Sequence, residues 1–329
     1  MEKTIFTNRW YALRPSKELK LKKPIEVPVL GHNVVLWRNK DKQVIVQDNR
    51  CPHRGAKLSM GKIKDNSSCI ECPYHGWKFD DTGVLKDIPA EEKSHLVDKL
   101  CIKNYEVVES GGLIWFCPGT PSGLNPPVIQ QMTHKEWISV TGQDVFDNDW
   151  VTTLENSIDV THVNFVHSDF GDNQNGKVSI DKITESKNQK IKMYSTINHK
   201  SENLLLKFTE QNNLTVKHDI FLPNTVSIQF WVKDILDVIT YVTYTPLENN
   251  KTMLNWVFLR SPRLLLFDGI LDYFFIEGMK KAIIEDKRIV NSIVNPENRI
   301  NIEADSVQVK FRAKLKELKL NEPSTDYHH

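Results

Sequence analysis

Four residues in the first quarter of the chain are of types that hold transition metals, and their spacing narrows what they can hold. They lie in Cys51-Pro52-His53-Arg54-Gly55-Ala56 and Cys72-Pro73-Tyr74-His75-Gly76-Trp77, a C-x-H and a C-x-x-H with eighteen residues between them. Two thiolates and two imidazoles suit a structural Zn²⁺, or a [2Fe–2S] cluster in which Cys51 and Cys72 hold one iron and His53 and His75 the other. Zinc knuckles usually pair Cys with Cys and His with His. Here each loop brings one of each, as it must when both loops reach both irons. Pro52 and Pro73 stiffen the loops, and Gly55 and Gly76 allow tight turns around sulfur. A zinc site from Cys51, His53, Cys69 and Cys72 is the competing reading, because Cys69-Ile70-Glu71-Cys72 is itself a C-x-x-C. It leaves His75 and the repeated Cys-Pro grammar unexplained. Cys69, Cys101 and Cys117 read instead as small strand residues, and Trp77 as core.

A second cluster lies in Leu154-Glu155-Asn156-Ser157-Ile158-Asp159-Val160-Thr161-His162-Val163-Asn164-Phe165-Val166-His167. A helix opening near Trp150 would carry Glu155, Asp159 and His162, with Asp159 and His162 on one face at i,i+3. His162 and His167 are five apart, about 140° around an ideal helix, so both reach one metal only if the helix ends or distorts between them. Two neutral imidazoles and one carboxylate form the facial triad of non-haem Fe(II) oxygenases, which leaves positions open for O₂. Asp286, in Ala282-Ile283-Ile284-Glu285-Asp286, is the best candidate for the carboxylate. Its neighbour Glu285 projects about 100° away on a helix, so only one of the two is expected to face the pocket.

These residues need a scaffold. Residues 1–135 read as a β-rich domain of short strands, such as Asn33–Trp37, Gln43–Gln47, Ile70–Cys72 and Gly112–Cys117, separated by turn residues. The breaker-rich Pro118–Pro127 stretch precedes the boundary, and 136–329 forms a second domain. That domain carries the helix near Trp150 and long strands at Ile191–Ile197, Leu204–Glu210, Thr225–Val232 and Val238–Tyr244. A helix through Asp272–Ile293 and a basic helix around Lys310–Leu320 follow. The class is α+β. No G-x-G-x-x-G or Walker motif occurs, so nucleotide chemistry is unsupported.

Composition excludes several function classes. Forty-three Lys+Arg against forty-two Asp+Glu leave +1, too little net charge to recruit nucleic acid by itself. The stretch Leu264–Ile276 is broken by Asp268 and Asp272 and falls short of the ~20 apolar residues of a membrane span. Five sparse cysteines argue against a disulfide scaffold and for a reducing, cytoplasmic setting.

Taken together, the chain resembles the Rieske non-haem iron oxygenases, as a terminal oxygenase α-subunit. It is most similar to the branch containing vanillate O-demethylase, dicamba monooxygenase and the chlorophyllide and pheophorbide oxygenases. The resemblance runs over nearly the whole chain. It includes Asn8-Arg9-Trp10-Tyr11, both Cys-Pro loops, Glu155-Asn156-x-x-Asp159-x-x-His162-x-x-x-x-His167, Glu285-Asp286, and Ala304-Asp305 before a basic helix. It implies an N-terminal all-β Rieske [2Fe–2S] domain followed by a helix-grip (START-like) catalytic domain with an antiparallel sheet. Cys51, Cys72, His53 and His75 would hold the cluster, and His162, His167 and Asp286 a mononuclear Fe(II). Asp159 would hydrogen-bond His162 and bridge to His75 of a neighbouring subunit, which implies a homotrimer. Asn156 would place an amide near the iron.

The implied activity uses O₂ and external electrons to hydroxylate, or oxidatively demethylate, a small organic substrate. A ferredoxin and/or flavin reductase would be the electron donor. Lys57, Lys62, Lys64 and Lys78 near the cluster loops could dock an acidic donor, or merely face solvent. A Rieske electron carrier without oxygenase activity, a zinc-stabilised binding module, and desaturation or dihydroxylation at the same site are the alternatives. Strands around Thr225–Val232, Val238–Tyr244 and Leu254–Phe258 should wall the substrate pocket. Phe230, Trp231, Tyr241 and Trp256 are the aromatics in reach, and of the adjacent Phe230 and Trp231 at most one can join it. Ser168–Lys177 reads as a lid or an exposed loop. His32, His95, His134, His199 and His218 show no partner pattern and are assigned nothing.

Overall fold

The computed structural model describes residues 5–64, 68–122, 125–167, 177–186, 189–198, 213–232, 236–261, 268–294 and 299–320. Two compact units emerge. One comprises residues 7–128 together with 245–249, and the other comprises 1–6, 129–244 and 250–329.

The first unit is built from short strands, as its runs of valine and isoleucine between turn residues predict. Strands β1 (Tyr11–Pro15), β2 (Ile25–Val29), β3 (His32–Arg38) and β4 (Val44–Asp48) are followed by β5 (Lys62–Ile63), β6 (Cys69–Glu71), β7 (Lys78–Asp80) and β8 (Leu85–Asp87). β9 (Glu106–Ser110) and β10 (Leu113–Cys117) complete it. They form three antiparallel sheets ordered β1-β10-β9, β2-β3-β4 and β5-β6-β7-β8. In the small sheet β5–β8 the β6–β7 connection is the Cys72 loop, and the Cys51 loop follows β4. The core of Trp37, Leu58, Ile70, Phe79 and Leu85 also buries Cys51 and Cys72.

The second unit is one seven-stranded sheet with helices on it. Its strands are β11 (Ile138–Phe146), β12 (Val178–Ser186), β13 (Lys190–Asn198), β14 (Asn213–Phe221), β15 (Thr225–Val232), β16 (Leu236–Pro246) and β17 (Thr252–Arg260). The order is β11-β17-β16-β15-β14-β13-β12. The helices are α1 (Trp150–Ile158), α2 (Val163–Val166), α3 (Asp268–Val290) and α4 (Ser306–Leu320). Strands β11, β12 and β14 were not foreseen, and the expected strand Leu204–Glu210 lies outside the described residues. No described helix is long and apolar enough to cross a membrane.

Helix α1 follows from local chemistry. Asp149 caps it, accepting hydrogen bonds from the backbone N–H of Val151 and Thr152. Trp150, Leu154 and Ile158, spaced by four, bury one face in the core. On that core the sheet contributes residues such as Ile197, Val216 and Val242, and α3 contributes Met279 and Ile283. β11 and β17 pair with Gly142 opposite Trp256, and the missing side chain makes room for the indole, which stacks on Phe258 at 4.3 Å.

Candidate functional site

The two Cys-Pro loops of the first unit share a backbone design. Cys51 N–H donates to Ala56 C=O at 2.9 Å, and Cys72 N–H donates to Trp77 C=O at 2.8 Å. Gly55 N–H closes back on Cys51 C=O and Gly76 N–H on Cys72 C=O. Both glycines sit at positive φ, 72° and 73°, where a side chain would be strained. The loops therefore aim two buried thiols and two imidazoles at a common region. The His53 and His75 ring centroids are 4.4 Å apart, and Trp77 stacks on His53 at 4.5 Å with planes 3° apart. Trp77 is thus core and a wall for His53 at once.

Burial pushes the Cys51 thiol up to about 11, opposed by N–H bonds from His53 and Arg54 and reinforced by Cys72 beside it. Such thiols ionise when a metal binds them. His53 Nδ1 is buried without a hydrogen-bond partner, as a ligand atom would be. Ligands of a single tetrahedral zinc lie roughly 3–4 Å from one another. Among the described residues these four form no group with ligand atoms all within 4.8 Å. The donor set fits two irons better than one zinc. Cys69 sits in β6 opposite Asp80, and Cys101 is exposed rather than a strand interior residue.

In the second unit, His162, His167 and Asp286 do form such a group. The Nε2 atoms of His162 and His167 are 3.2 Å apart, and Asp286 Oδ1 lies 3.4 Å from the first and 3.3 Å from the second. Donor atoms bound about 2.1 Å from one metal, on one face of its coordination shell, are separated by roughly this much. Asp286 Oδ1 and His162 Nδ1 are buried without hydrogen-bond partners. The inward-facing Asp286 Oδ1 and the two Nε2 atoms are satisfied together by a cation, while His162 Nδ1 faces Asp159 from the other edge of its ring. Burial favours the neutral acid at Asp286, but the imidazoles of His162 and His167 beside it outweigh burial and hold the carboxyl well below its usual range.

The local chain path departs from a single helix. α1 stops at Ile158, and Asp159 is its extended C-cap at φ −81°, ψ 123°. Asp159 Oδ1 accepts from Thr161 N–H at 2.7 Å and Thr161 Oγ1 at 2.6 Å, a local turn that competes with helix continuation. Asp159 and His162 therefore do not share a helix face, contrary to the spacing argument. α2 then runs for one turn and ends at His167, whose backbone is extended at φ −99°, ψ 95°. Those two breaks swing His162 and His167 to one point. Asp159 Oδ2 stays 3.8 Å from His162 Nδ1, beyond hydrogen-bond reach.

Glu285 adds a contact that spacing did not foresee. Asp286 lines the cavity and Glu285 does not, as their 100° offset implies, yet Glu285 Oε2 lies 3.1 Å from His167 Nδ1, on the ring edge opposite the triad. Asp286 serves the inner nitrogens and Glu285 the outer one, because the longer Glu side chain reaches around α3. Burial lowers His167, but Asp286 and Glu285 outweigh it and the net shift is upward.

The triad opens on a cavity of about 150 Å³. Asn156 and Asp159 line it, as do Phe230 and His218. Trp231, Tyr241 and Trp256 are not among its lining residues, so Phe230 is the one expected aromatic that joins the wall. His218 was assigned nothing from sequence. The alternation Leu214-x-Val216-x-His218-x-Ile220 was the available signal, since it places His218 on an apolar sheet face. The possible lid over Ser168–Lys177 lies outside the described residues except for Lys177. Lys57 pairs with Glu26 at 2.7 Å and Lys78 with Asp87 at 2.5 Å, while Lys62 and Lys64 share Glu71.

Comparison with known proteins sets this geometry in a family. Residues 9–106 match the Rieske [2Fe-2S] domain, and residues 146–320 match the vanillate O-demethylase oxygenase C-terminal domain. The chain belongs to the Rieske non-haem iron oxygenases. This Rieske oxygenase is 32% identical over 163 residues to the toluene-4-sulfonate monooxygenase system iron-sulfur subunit TsaM1 of Comamonas testosteroni, covering 49% of this chain and 46% of that one. It is 30% identical over 179 residues to the chloroplastic pheophorbide a oxygenase of Oryza sativa subsp. japonica, covering 50% and 34%. It thus spans less than half the length of these curated relatives. In fold the oxygenase is similar to dicamba monooxygenase bound to dicamba, with a TM-score of 0.85 at 20% identity over 96% of this chain and 98% of that one. Pseudomonas putida CBB5 NdmA with caffeine gives 0.80 at 21% identity, over 95% and 91%. The expected fold, an all-β Rieske domain and a catalytic domain with an antiparallel sheet, is the one found.

Proposed function

We propose that this chain is the terminal component of an oxygenase system that hydroxylates, or oxidatively demethylates, a small organic substrate. Cys51 and Cys72 would hold one iron of the Rieske cluster and His53 and His75 the other, while His162, His167 and Asp286 would hold a mononuclear Fe(II). When bound, the cluster supplies single electrons and the mononuclear iron an open site for O₂. The observation that carries the reading is the 3.2–3.4 Å triangle of donors beside an apolar cavity.

The chain's own residues then have separable tasks. Glu285 fixes the ring orientation of His167 from its outer nitrogen, as carboxylates commonly do for metal-bound imidazoles. Asp159 and Asn156 stand on the cavity wall beside the triad, where a carboxylate and an amide can orient His162 and the substrate. The apolar sheet face holds the substrate and excludes water. Names of relatives support a small-molecule substrate, and the word "system" in that of TsaM1 supports separate electron-supplying components. A ferredoxin and/or flavin reductase is the proposed donor, a homotrimer the proposed assembly and the cytoplasm the proposed location.

Metal and sulfide assays on anaerobically purified protein test this. The expected content is about three irons and two sulfides per chain. His162→Ala should lower iron to about two while the visible colour persists and substrate oxidation stops. Cys72→Ser should remove the colour. Stoichiometric zinc in place of iron, or an active His162→Ala protein, would overturn the proposal.

A further inference from the structure

The floor of the cavity carries a polar feature that the metal site does not use. Strand pairing aligns His218 of β14 with Ile228 of β15, and Ile228 with Thr240 of β16. Cross-strand partners share a face, so His218 and Thr240 stand in one row, two strands or roughly 9–10 Å apart. All three residues line the cavity. Around them that face is apolar, with Val216, Phe230 and Val242 in the adjoining rows. His218 is 3% exposed and Thr240 8% exposed. Both His218 Nδ1 and Thr240 Oγ1 are buried without a hydrogen-bond partner.

Leaving a buried polar atom unpaired costs about 1–3 kcal/mol. Two such atoms in one row, in a wall otherwise built to exclude water, make sense when something else pairs with them. We propose that His218 and Thr240 form the recognition row for an uncharged substrate: a mainly apolar molecule carrying hydroxyl or carbonyl oxygens set against this row. This deepens the oxygenase reading and rests on it, since it takes the cavity to be the substrate chamber.

The electrical character of the chamber selects against anions. A fully buried imidazole stays neutral, and burial holds His218 down to about 3. A neutral imidazole and a hydroxyl each donate and accept hydrogen bonds without charge, which matches an alcohol, ketone or amide. A carboxylate or sulfonate would have to shed its water against this uncharged row and the apolar wall around it. The chamber thus differs in its preference from what the names toluene-4-sulfonate monooxygenase and 3-chlorobenzoate-3,4-dioxygenase indicate for those relatives.

Anaerobic titration calorimetry on the full-length holoprotein, without an electron donor so that nothing turns over, provides the test. The probes are ethylbenzene, 1-phenylethanol, acetophenone and benzoate, close in size and differing in polarity and charge. The alcohol and ketone should bind about tenfold tighter than ethylbenzene, in line with one good buried hydrogen bond, and benzoate no tighter than ethylbenzene. His218→Phe and Thr240→Val should shrink the advantage to under threefold while leaving ethylbenzene affinity unchanged. Benzoate as the tightest ligand, no binding of any probe, or no discrimination by the wild-type protein would each overturn the inference, and none of these outcomes depends on a variant folding. So would variants that keep the full preference. Iron assays on the same samples separate the two readings: iron retained without the preference sinks this one, and the preference retained without iron sinks the oxygenase.

Discussion

Glu285 contacts the outer nitrogen of His167 while its neighbour Asp286 contacts the inner one, so two consecutive residues of α3 grip one imidazole from both edges. Removing the outer grip should loosen the ring without removing a ligand. Glu285→Leu is expected to weaken iron binding about ten- to a hundredfold, with Glu285→Gln, which keeps a hydrogen-bonding group, falling between. Competition against a chelator, followed by iron assay, measures it. Unchanged retention in Glu285→Leu would show that the contact is incidental. The metal-type residues stood out in the sequence because cysteine and histidine at loop spacing have few other uses. The contact of Glu285 with His167 was not foreseen because a helical wheel gives the direction in which a side chain leaves the helix and not how far it reaches. His218 was passed over because a single histidine carries no spacing, and only the register of three strands sets it in one row with Thr240.

Among the elements, β11 and β17 show how a missing side chain can be structural. An ideal Cβ on Gly142 would stand 2.0 Å from Trp256 Cζ2. That indole is 5% exposed, stacked on Phe258 and hydrogen-bonded through Nε1 to Asp144 at 3.1 Å, so it has little room to yield. Gly142→Ala should destabilise the second unit by roughly 1–3 kcal/mol, seen as a lowered thermal midpoint of that unit. An unchanged midpoint would mean that the ring swings aside freely. The strands with dense β-branched runs, such as Thr225–Val232, were readable from composition. β14 was not, because Lys217, His218 and Asp219 interrupt its apolar alternation. The helix end at Asp159 escaped notice for a related reason. Spacing alone does not reveal that an Asp–Thr pair can capture the backbone and stop a helix.

Over the whole molecule the charges nearly cancel, and local pairs decide the response to pH. Arg38 of β3 donates to Glu109 of β9 through both terminal nitrogens, at 2.6 and 2.9 Å, and also reaches the carbonyls of Leu19, Ser16 and Lys42. The Arg38 guanidinium holds the Glu109 carboxyl below its usual range. A lowered carboxyl favours the folded state above its ordinary pKa of about 4.3, and the benefit disappears as pH falls through the folded value. Glu109→Gln should therefore lose stability at pH 7 and little relative to wild type near pH 3. The difference should stay under about 1 kcal/mol, because the carboxylate is more than a third exposed. Urea midpoints at the two pH values check this, and an equal deficit at both would refute it. Another pattern at this scale is the distance in sequence between His167 and Asp286. A metal joining them closes a long loop in the catalytic unit, so iron should raise that unit's resistance to unfolding by mass action.

The five residues 245–249 group with 7–128 although the chain around them groups with the rest of the molecule. Thr245 Oγ1 donates to the Ala12 carbonyl at 2.8 Å, and Leu30 N–H donates to the Pro246 carbonyl. Hybrid enzymes that graft a foreign catalytic half after residue 128 would import a mismatched strap along with it. A splice that exchanges specificity between members should instead keep this short tract native to the Rieske portion.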